Sequence, residues 1–275
     1  MTKIMFSMIF GFLFLTISTC FIQWFIPENQ PKWISAYRDA MSFRASHYFV
    51  SFISEASAVA CGFGCQSSLA PHGVTKWDVP VAEPHNIEVP RSLVEVVVSW
   101  NKPMHQWLKQ CNSFVYPFCS LNESVSILFL CSSDCFKKVI RFGKWTAVMT
   151  TFLASTFLHG FNFQLGAVLL SLGFFIYVED RLRNKLATKF DASIRARRRP
   201  EDNFRHSEAS FRVMLFNMLF VMLSMVHLMY LGVMFDQSDV QAEGYRWTHT
   251  IAKWDSLSFF SHWFMLLSLM LSFLF

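Results

Sequence analysis

The side chain best placed to do chemistry is a histidine inside a long uncharged run. Residues 145–178 contain no Asp, Glu, Lys or Arg over 34 positions, and His159 lies near their middle. Because ionisable groups are costly at membrane depth, one that is found there is a candidate functional residue. Burial favours the neutral imidazole, which can accept a proton, so we predict His159 as a general base toward a hydroxyl group. Ser155 lies one helical turn earlier on the same face and could orient the ring by a hydrogen bond.

Two alternatives remain open at this point. His159 could simply hydrogen-bond a neighbouring helix, and His227 is the internal comparison, because its surroundings "SMVHLMYL" are equally apolar and contain no helix break. Composition and spacing favour His159 over His227 for catalysis. Asn101, at the end of the apolar stretch "SLVEVVVSWN", could cap a helix C-terminus or point its amide into a site. Spacing alone favours the cap.

The elements that must position these residues are apolar helices. The chain has 275 residues, of which 53% are hydrophobic. Uncharged runs of about 20 residues are typical of membrane-spanning helices. We therefore predict an all-α, polytopic helical membrane protein with about four or five spans plus interfacial or re-entrant helices. The four uncharged runs are 4–27, 145–178, 213–235 and 256–275.

The second run is too long for one span. As a helix it would be about 51 Å long, whereas the hydrocarbon core of a bilayer is about 30 Å thick. The stretch "HGFNF" at 159–163 offers a break, because Gly160 loosens the helix and Asn162 is polar. We predict two segments, about 145–159 and 163–178, with a single long tilted helix as the alternative.

Charge predicts the orientation of the chain. Residues 181–212 hold ten Lys or Arg and four acidic residues, within a formal net charge of +5. Short basic loops stay on the cytosolic side of a membrane, so we predict a cytosolic loop at 181–212, a lumenal segment at 236–255 and a cytosolic C-terminus. Attraction to anionic membrane lipids or to the phosphates of acyl-CoA would accompany this charge. Nucleic acid is not an expected partner.

The remaining segments give three further predictions. Residues 31–60 predict a helix lying in the interface or packed against other spans, in which Arg44 would be a functional candidate if it were buried. A further helix is predicted to open at Ser92 as N-cap, with Glu95 in its first turn. The chain has seven cysteines. Two C-x3-C pairs have no histidines at ligand spacing, so no metal site is expected.

Four ordered stretches resemble the membrane-bound O-acyltransferases. They are "AMSFRASHYFVSFISEA", "VPRSLVEVVVSWNKPMHQWL", "LASTFLHGFNFQLGAVLLSLGFFIYVEDRLR" and "MVHLMYLGVMFD" with "GYRWTHTIAKWDSLSFFSHW". The pairing of "RSLVEVVVSWN" with "LHGF" resembles the branch of that family that attaches a monounsaturated fatty acyl group to Wnt proteins in the endoplasmic reticulum membrane. The resemblance implies that residues 1–275 are the C-terminal portion of the family's domain, with 111–134 as an unmatched segment that is either a loop insertion or translated intron sequence.

The resemblance also implies site residues and partners. His159 falls on the family's histidine and would deprotonate the Wnt serine. Asn101 falls on the family's asparagine and would position the thioester or donate to the developing oxyanion. Trp100 and Ser155 would line the site, with Trp100 in contact with acyl-CoA. Palmitoleoyl-CoA would be the co-substrate, with no bound cofactor or metal. A catalytically inactive fragment that binds Wnt, and a transporter-like protein, remain alternatives.

Overall fold

The computed structural model describes residues 2–27, 29–66, 76–77, 79–106, 139–160, 162–199, 202–236 and 246–274. In these ranges the chain is helical apart from connecting loops and two short antiparallel strands, β1 (Cys65–Gln66) and β2 (Lys76–Trp77). The predicted all-α fold class is confirmed. The principal helices are α1 (Thr2–Phe25), α2 (Lys32–Ala60), α3 (Pro84–Glu88), α4 (Leu93–Trp100), α5 (Lys144–Leu158), α6 (Phe163–Phe190), α7 (Phe211–Gly232), α8 (Trp247–Ser256) and α9 (Phe260–Leu274).

Three of these helices are long and apolar enough to cross a membrane. They are α1, α6 and α7, and the bent pair α8–α9 makes four if it counts as one span. Among the described residues, the lower end of the predicted four or five spans is reached only with that pair, which bends by 71°. The predicted segment 145–159 forms the 15-residue helix α5. It is about 22 Å long at about 1.5 Å per residue, which is short of a bilayer core.

The predicted break at 159–163 is confirmed. Helix α5 ends at Leu158, and Gly160 adopts a φ of +91°, a conformation that a side chain would strain. Asn162 then caps α6, because its Oδ1 accepts from the backbone N–H groups of Gln164 at 2.9 Å and Leu165 at 3.4 Å. The polar residue that marked the break in the sequence thus starts the next helix.

Helix α6 extends further than the sequence predicts. It continues to Phe190, so the first ten positions of the predicted 181–212 loop are helical. The reason is that the charged residues of this stretch find partners while the helix continues. Arg181 donates to the hydroxyl of Ser272 on α9 at 3.0 Å, and Arg183 is fully buried. Asp191, with a φ of 47°, ends the helix.

The helices pack closely where glycines face larger side chains. A Cβ added at Gly166 would lie 2.8 Å from Cγ2 of Thr156, and one at Gly173 would lie 2.8 Å from the ring of Phe152. These contacts bring α6 directly against α5. Small residues at helix interfaces allow such close approach, which is the main way apolar helices associate in lipid. Helix α2 packs against α1 and α7, and α9 packs against α6.

The site helix α4 begins where the sequence predicts. Ser92 precedes its first residue, and Glu95 accepts from the backbone N–H of Arg91 at 2.6 Å. The Ser92 hydroxyl itself makes no capping hydrogen bond. The predicted insertion at 111–134 lies outside the described residues.

Candidate functional site

A cavity of about 370 Å³ lies between the helices. Its wall is mostly aliphatic and aromatic, with a few polar groups. Helices α2, α4, α5, α6 and α7 each contribute one face. The lining residues are Ala40, Phe43, Arg44, His47, Val96, Val97, Trp100, Asn101, Met104, His105, Phe152, Ser155, His159, Leu165, Val168, Leu169, Leu172, Leu228, Leu231, Gly232 and Phe235. An apolar cavity with a few convergent polar groups is the usual form of a small-molecule site.

All four predicted site residues line this cavity. Trp100 and Asn101 come from the C-terminal end of α4, and Ser155 and His159 come from the end of α5. These two helix ends are separated by more than 50 positions in the sequence. The fold therefore brings together an imidazole, a carboxamide, an indole and a hydroxyl.

His159 lies at the edge of the cavity rather than deep inside it. The expectation of a buried imidazole is not met, because His159 is exposed in the described structure. The reason is its position at the end of α5, where Gly160 turns the chain. The predicted hydrogen bond from the Ser155 hydroxyl to the ring is also not found among the described residues. Instead the backbone N–H of His159 donates to the carbonyl oxygen of Ser155 at 3.1 Å. This bond holds the backbone of His159, while its side chain lines the cavity.

Asn101 occupies the C-cap position of α4, as spacing favours, and its side chain also caps the helical segment that follows. Its Oδ1 accepts from the backbone N–H of Met104 at 3.0 Å, so it caps the helical segment that begins at Lys102, after α4. The same residue lines the cavity, so both interpretations of Asn101 hold in part. With its oxygen accepting from Met104, Asn101 offers its amide NH₂ to a ligand. Asn101 can therefore serve there as a hydrogen-bond donor.

The structure adds a residue that the sequence analysis missed, His47. Its ring stacks on the indole of Trp100, with centroids 4.2 Å apart and an interplanar angle of 6°. Its Nε2 lies 3.0 Å from the carbonyl oxygen of Trp100. The signal in the sequence is the spacing of Ala40, Phe43, Arg44 and His47, which places these four on one face of a helix. Charged residues interrupt the apolar pattern of this helix, so the pattern did not identify the face that lines the cavity.

Arg44, named from the sequence as a candidate if buried, has only 2% of its side chain exposed. It makes a bidentate ion pair with Glu88, with Nε 2.8 Å from Oε1 and Nη2 3.1 Å from Oε2. The hydroxyl of Tyr48 donates to the same carboxylate at 2.7 Å. The Nη1 atom of Arg44 is buried without a partner among the described residues. This pair joins α2 to α3, and Arg44 supplies a charged part of the cavity wall.

His227 is separated from the site by the fold. It is buried, its Nδ1 lies 3.0 Å from the hydroxyl of Ser261 on α9, and it does not line the cavity. The two histidines that looked similar in sequence therefore occupy different environments. His227 joins two helices, whereas His159 faces the cavity.

The described residues include no cluster of three or more His, Cys, Asp or Glu that could hold a metal ion. Within the same ranges, Cys20, Cys61 and Cys65 are free thiols at exposed positions. The second C-x3-C pair, at 131 and 135, lies outside them. The polar groups of the cavity wall are the imidazoles of His47, His105 and His159, the guanidinium of Arg44, the carboxamide of Asn101, the hydroxyl of Ser155 and the indole of Trp100.

The apolar helices of spanning length, α1, α6 and α7, define a polytopic helical membrane protein. The cavity lies between its helices. No family model matches the chain. The chain is a homologue of proteins named protein-serine O-palmitoleoyltransferase porcupine. It is 38% identical to the human protein over 283 residues, which is 95% of this chain and 56% of the relative. The Anopheles gambiae protein is 32% identical over 91% of this chain and 48% of its own length, and the Drosophila melanogaster protein is 31% identical over 82% and 42%. The chain thus spans about half the length of the curated relatives that it matches.

Proposed function

We propose that the chain carries the site for transfer of a palmitoleoyl group from acyl-CoA to a serine hydroxyl of a Wnt protein. The observation that carries this proposal is that His159 and Asn101, which come from separate helices, line one apolar cavity. The relatives' name, protein-serine O-palmitoleoyltransferase, supports the reaction class and the acyl group. The resemblance to membrane-bound O-acyltransferases supports Wnt as the acceptor and the endoplasmic reticulum membrane as the location.

In the proposed reaction an imidazole nitrogen of His159 takes the proton of the serine hydroxyl. The serine oxygen attacks the thioester carbonyl carbon, and the carbonyl oxygen gains negative charge. Collapse of that intermediate breaks the carbon–sulfur bond and releases the CoA thiolate, which takes the proton from His159. The products are an O-acyl serine and free CoA, so atoms and charge balance.

The amide NH₂ of Asn101 donates to the oxygen that gains charge. Its geometry supports this role, because the Oδ1 is held by Met104 and the NH₂ is the remaining polar group. A donor that meets an oxyanion away from water is worth about 10²–10³ in rate. Trp100, next to Asn101 in the cavity wall, contacts the acyl-CoA, and the aliphatic faces of α6 and α7 hold the acyl chain. The edge position of His159 gives an acceptor serine access from outside the cavity.

The test expresses the chain in cells without their own Wnt acylation and labels Wnt with an alkynyl palmitoleate. We expect His159→Gln to lower transfer by about 10²–10⁴-fold, because Gln keeps polarity but cannot take a proton. His85→Gln is the matched control, since His85 is also exposed but lies on α3, outside the cavity. Wild-type-like transfer by His159→Gln would overturn the assignment of the base. Binding of Wnt without any transfer by the unaltered chain would favour an inactive binding protein.

A further inference from the structure

His47 holds the peptide that carries Asn101. Helix α4 ends at Trp100, so the carbonyl of this last residue has no partner within the helix. The Nε2 of His47 lies 3.0 Å from that oxygen. A carbonyl can only accept, so Nε2 carries the proton and donates. Because the Trp100 carbonyl belongs to the peptide bond that joins Trp100 to Asn101, this hydrogen bond fixes the orientation of the backbone at Asn101.

The stacked rings add a second restraint at the same place. The imidazole of His47 and the indole of Trp100 are nearly parallel at 4.2 Å, and the ring of Phe43, one turn earlier on α2, lies 6.2 Å from the indole. The hydroxyl of Ser51 lies 3.4 Å from the same Nε2. The imidazole is therefore held by its own helix while it contacts both the side chain and the backbone of Trp100.

The other side of Asn101 is held independently. The backbone N–H of Lys102 donates to the carbonyl of Val81 at 2.9 Å, and the Met104 N–H donates to Oδ1 of Asn101. With His47 on one side and these bonds on the other, the NH₂ of Asn101 keeps one direction relative to the cavity. Preorganised donors of this kind stabilise a developing charge without rearrangement during the reaction.

We propose that His47 is a positioning residue that aims the Asn101 amide at the thioester oxygen. The proposal rests on the proposed acyl transfer. It assigns His47 no proton transfer; the role of this residue is to donate from Nε2 to the Trp100 carbonyl. It predicts that the N–H donor matters more than the ring.

The experiment compares two variants that separate the donor from the ring. His47→Gln keeps an N–H at a similar reach, and His47→Phe keeps the ring and removes the donor. The first measurement is hydrogen exchange of the peptide that covers 100–106, with the chain in lipid nanodiscs. We expect His47→Phe to speed exchange of the Met104 and His105 amides at least tenfold, and His47→Gln to stay within threefold of wild type. Residues 187–194 are the internal control and should not change.

The second measurement is the kinetics of acyl transfer. We expect His47→Phe to lower kcat at least tenfold with KM for palmitoleoyl-CoA within twofold of wild type, and His47→Gln to recover most of kcat. Equal losses of kcat in both variants, with normal exchange at 100–106, would overturn the proposal and indicate general destabilisation. Absence of transfer by the wild-type chain would count against the proposed function, while the exchange result would still decide the role of His47.

Discussion

The carboxylate of Glu179 on α6 accepts from the backbone N–H of Leu93, the first residue of α4, at 2.9 Å. Helix α4 carries Trp100 and Asn101 at its other end. Glu179 is itself held by Arg183 one turn later, at 3.0 Å, and the Arg183 guanidinium also donates to the carbonyl of Arg91 at 2.6 Å. A buried ion pair on one helix thus fixes the start of another helix, and the orientation of that helix decides where the site residues lie.

Removing Glu179 should destabilise the chain more than any surface change. Glu179→Ala leaves the buried Arg183 without its carboxylate partner, and breaking such a pair costs about 3–5 kcal/mol. Thermal unfolding in detergent measures the effect. Asp180→Asn is the matched control, because its carboxylate is more exposed and pairs with Lys144, so the loss should stay below about 1 kcal/mol. Equal shifts for both variants would contradict the role given to Glu179.

The ion pair of Arg44 and Glu88 gives a second prediction, which is that substitutions of the two residues have coupled effects on the free energy of unfolding. Glu88→Leu leaves a buried guanidinium alone and should cost about 3 kcal/mol or more. The double variant Arg44→Met with Glu88→Leu should be more stable than Glu88→Leu alone, since no unpaired charge remains. The free energy of unfolding of the two single variants and the double variant checks this. Additive losses would show that the pair is not coupled.

The close contact between α5 and α6 predicts that a second substitution can restore stability lost by a first one. Gly166→Ala places a Cβ 2.8 Å from Cγ2 of Thr156 and should cost about 1–3 kcal/mol through overpacking. Adding Thr156→Ser removes that methyl and keeps the hydroxyl that donates to the carbonyl of Phe152 at 2.9 Å. The double variant should therefore recover most of the lost stability, as measured by chemical unfolding.

Gly160 is the control for that rescue. A Cβ at Gly160 has open space around it, but its φ of +91° is strained for any side chain, so Gly160→Ala should cost about 1–2 kcal/mol. Thr156→Ser should not restore this loss, because no clash with Thr156 causes it. If it did, the close approach of α5 and α6 at Gly166 would not be the cause of the first effect.

Substitution of His159 and of His227 should have opposite effects on stability and on acyl transfer. His227→Leu removes the hydrogen bond to Ser261 between α7 and α9 and should lower stability by about 1–3 kcal/mol. Transfer per folded molecule should change less than twofold, because His227 does not line the cavity. His159→Gln should do the reverse, with normal unfolding and lost transfer. A large loss of transfer by folded His227→Leu would contradict the assignment of His159, rather than His227, as the base.

The sequence by itself determined the fold class and the main breaks in the helices. Long uncharged runs favour helices in an apolar environment, because a helix bonds the backbone polar groups within its own segment. For the same local reasons, Gly160 and Asn162 located the turn between α5 and α6, and Ser92 located the start of α4. These properties depend on neighbouring residues along the chain, which the sequence displays directly.

Tertiary structure decided what residue spacing left open, which is how the polar residues come to share a cavity. His159 and His227 lie in equally apolar surroundings, and only packing placed one at the cavity and the other against Ser261. The side-chain cap of Asn101 depends on the helical residues that follow it, and the contact of His47 with Trp100 joins positions 53 apart. Such contacts arise from the angles at which helices cross, and those angles follow from close packing at positions such as Gly166, Gly173 and Gly232, which no short stretch of sequence specifies.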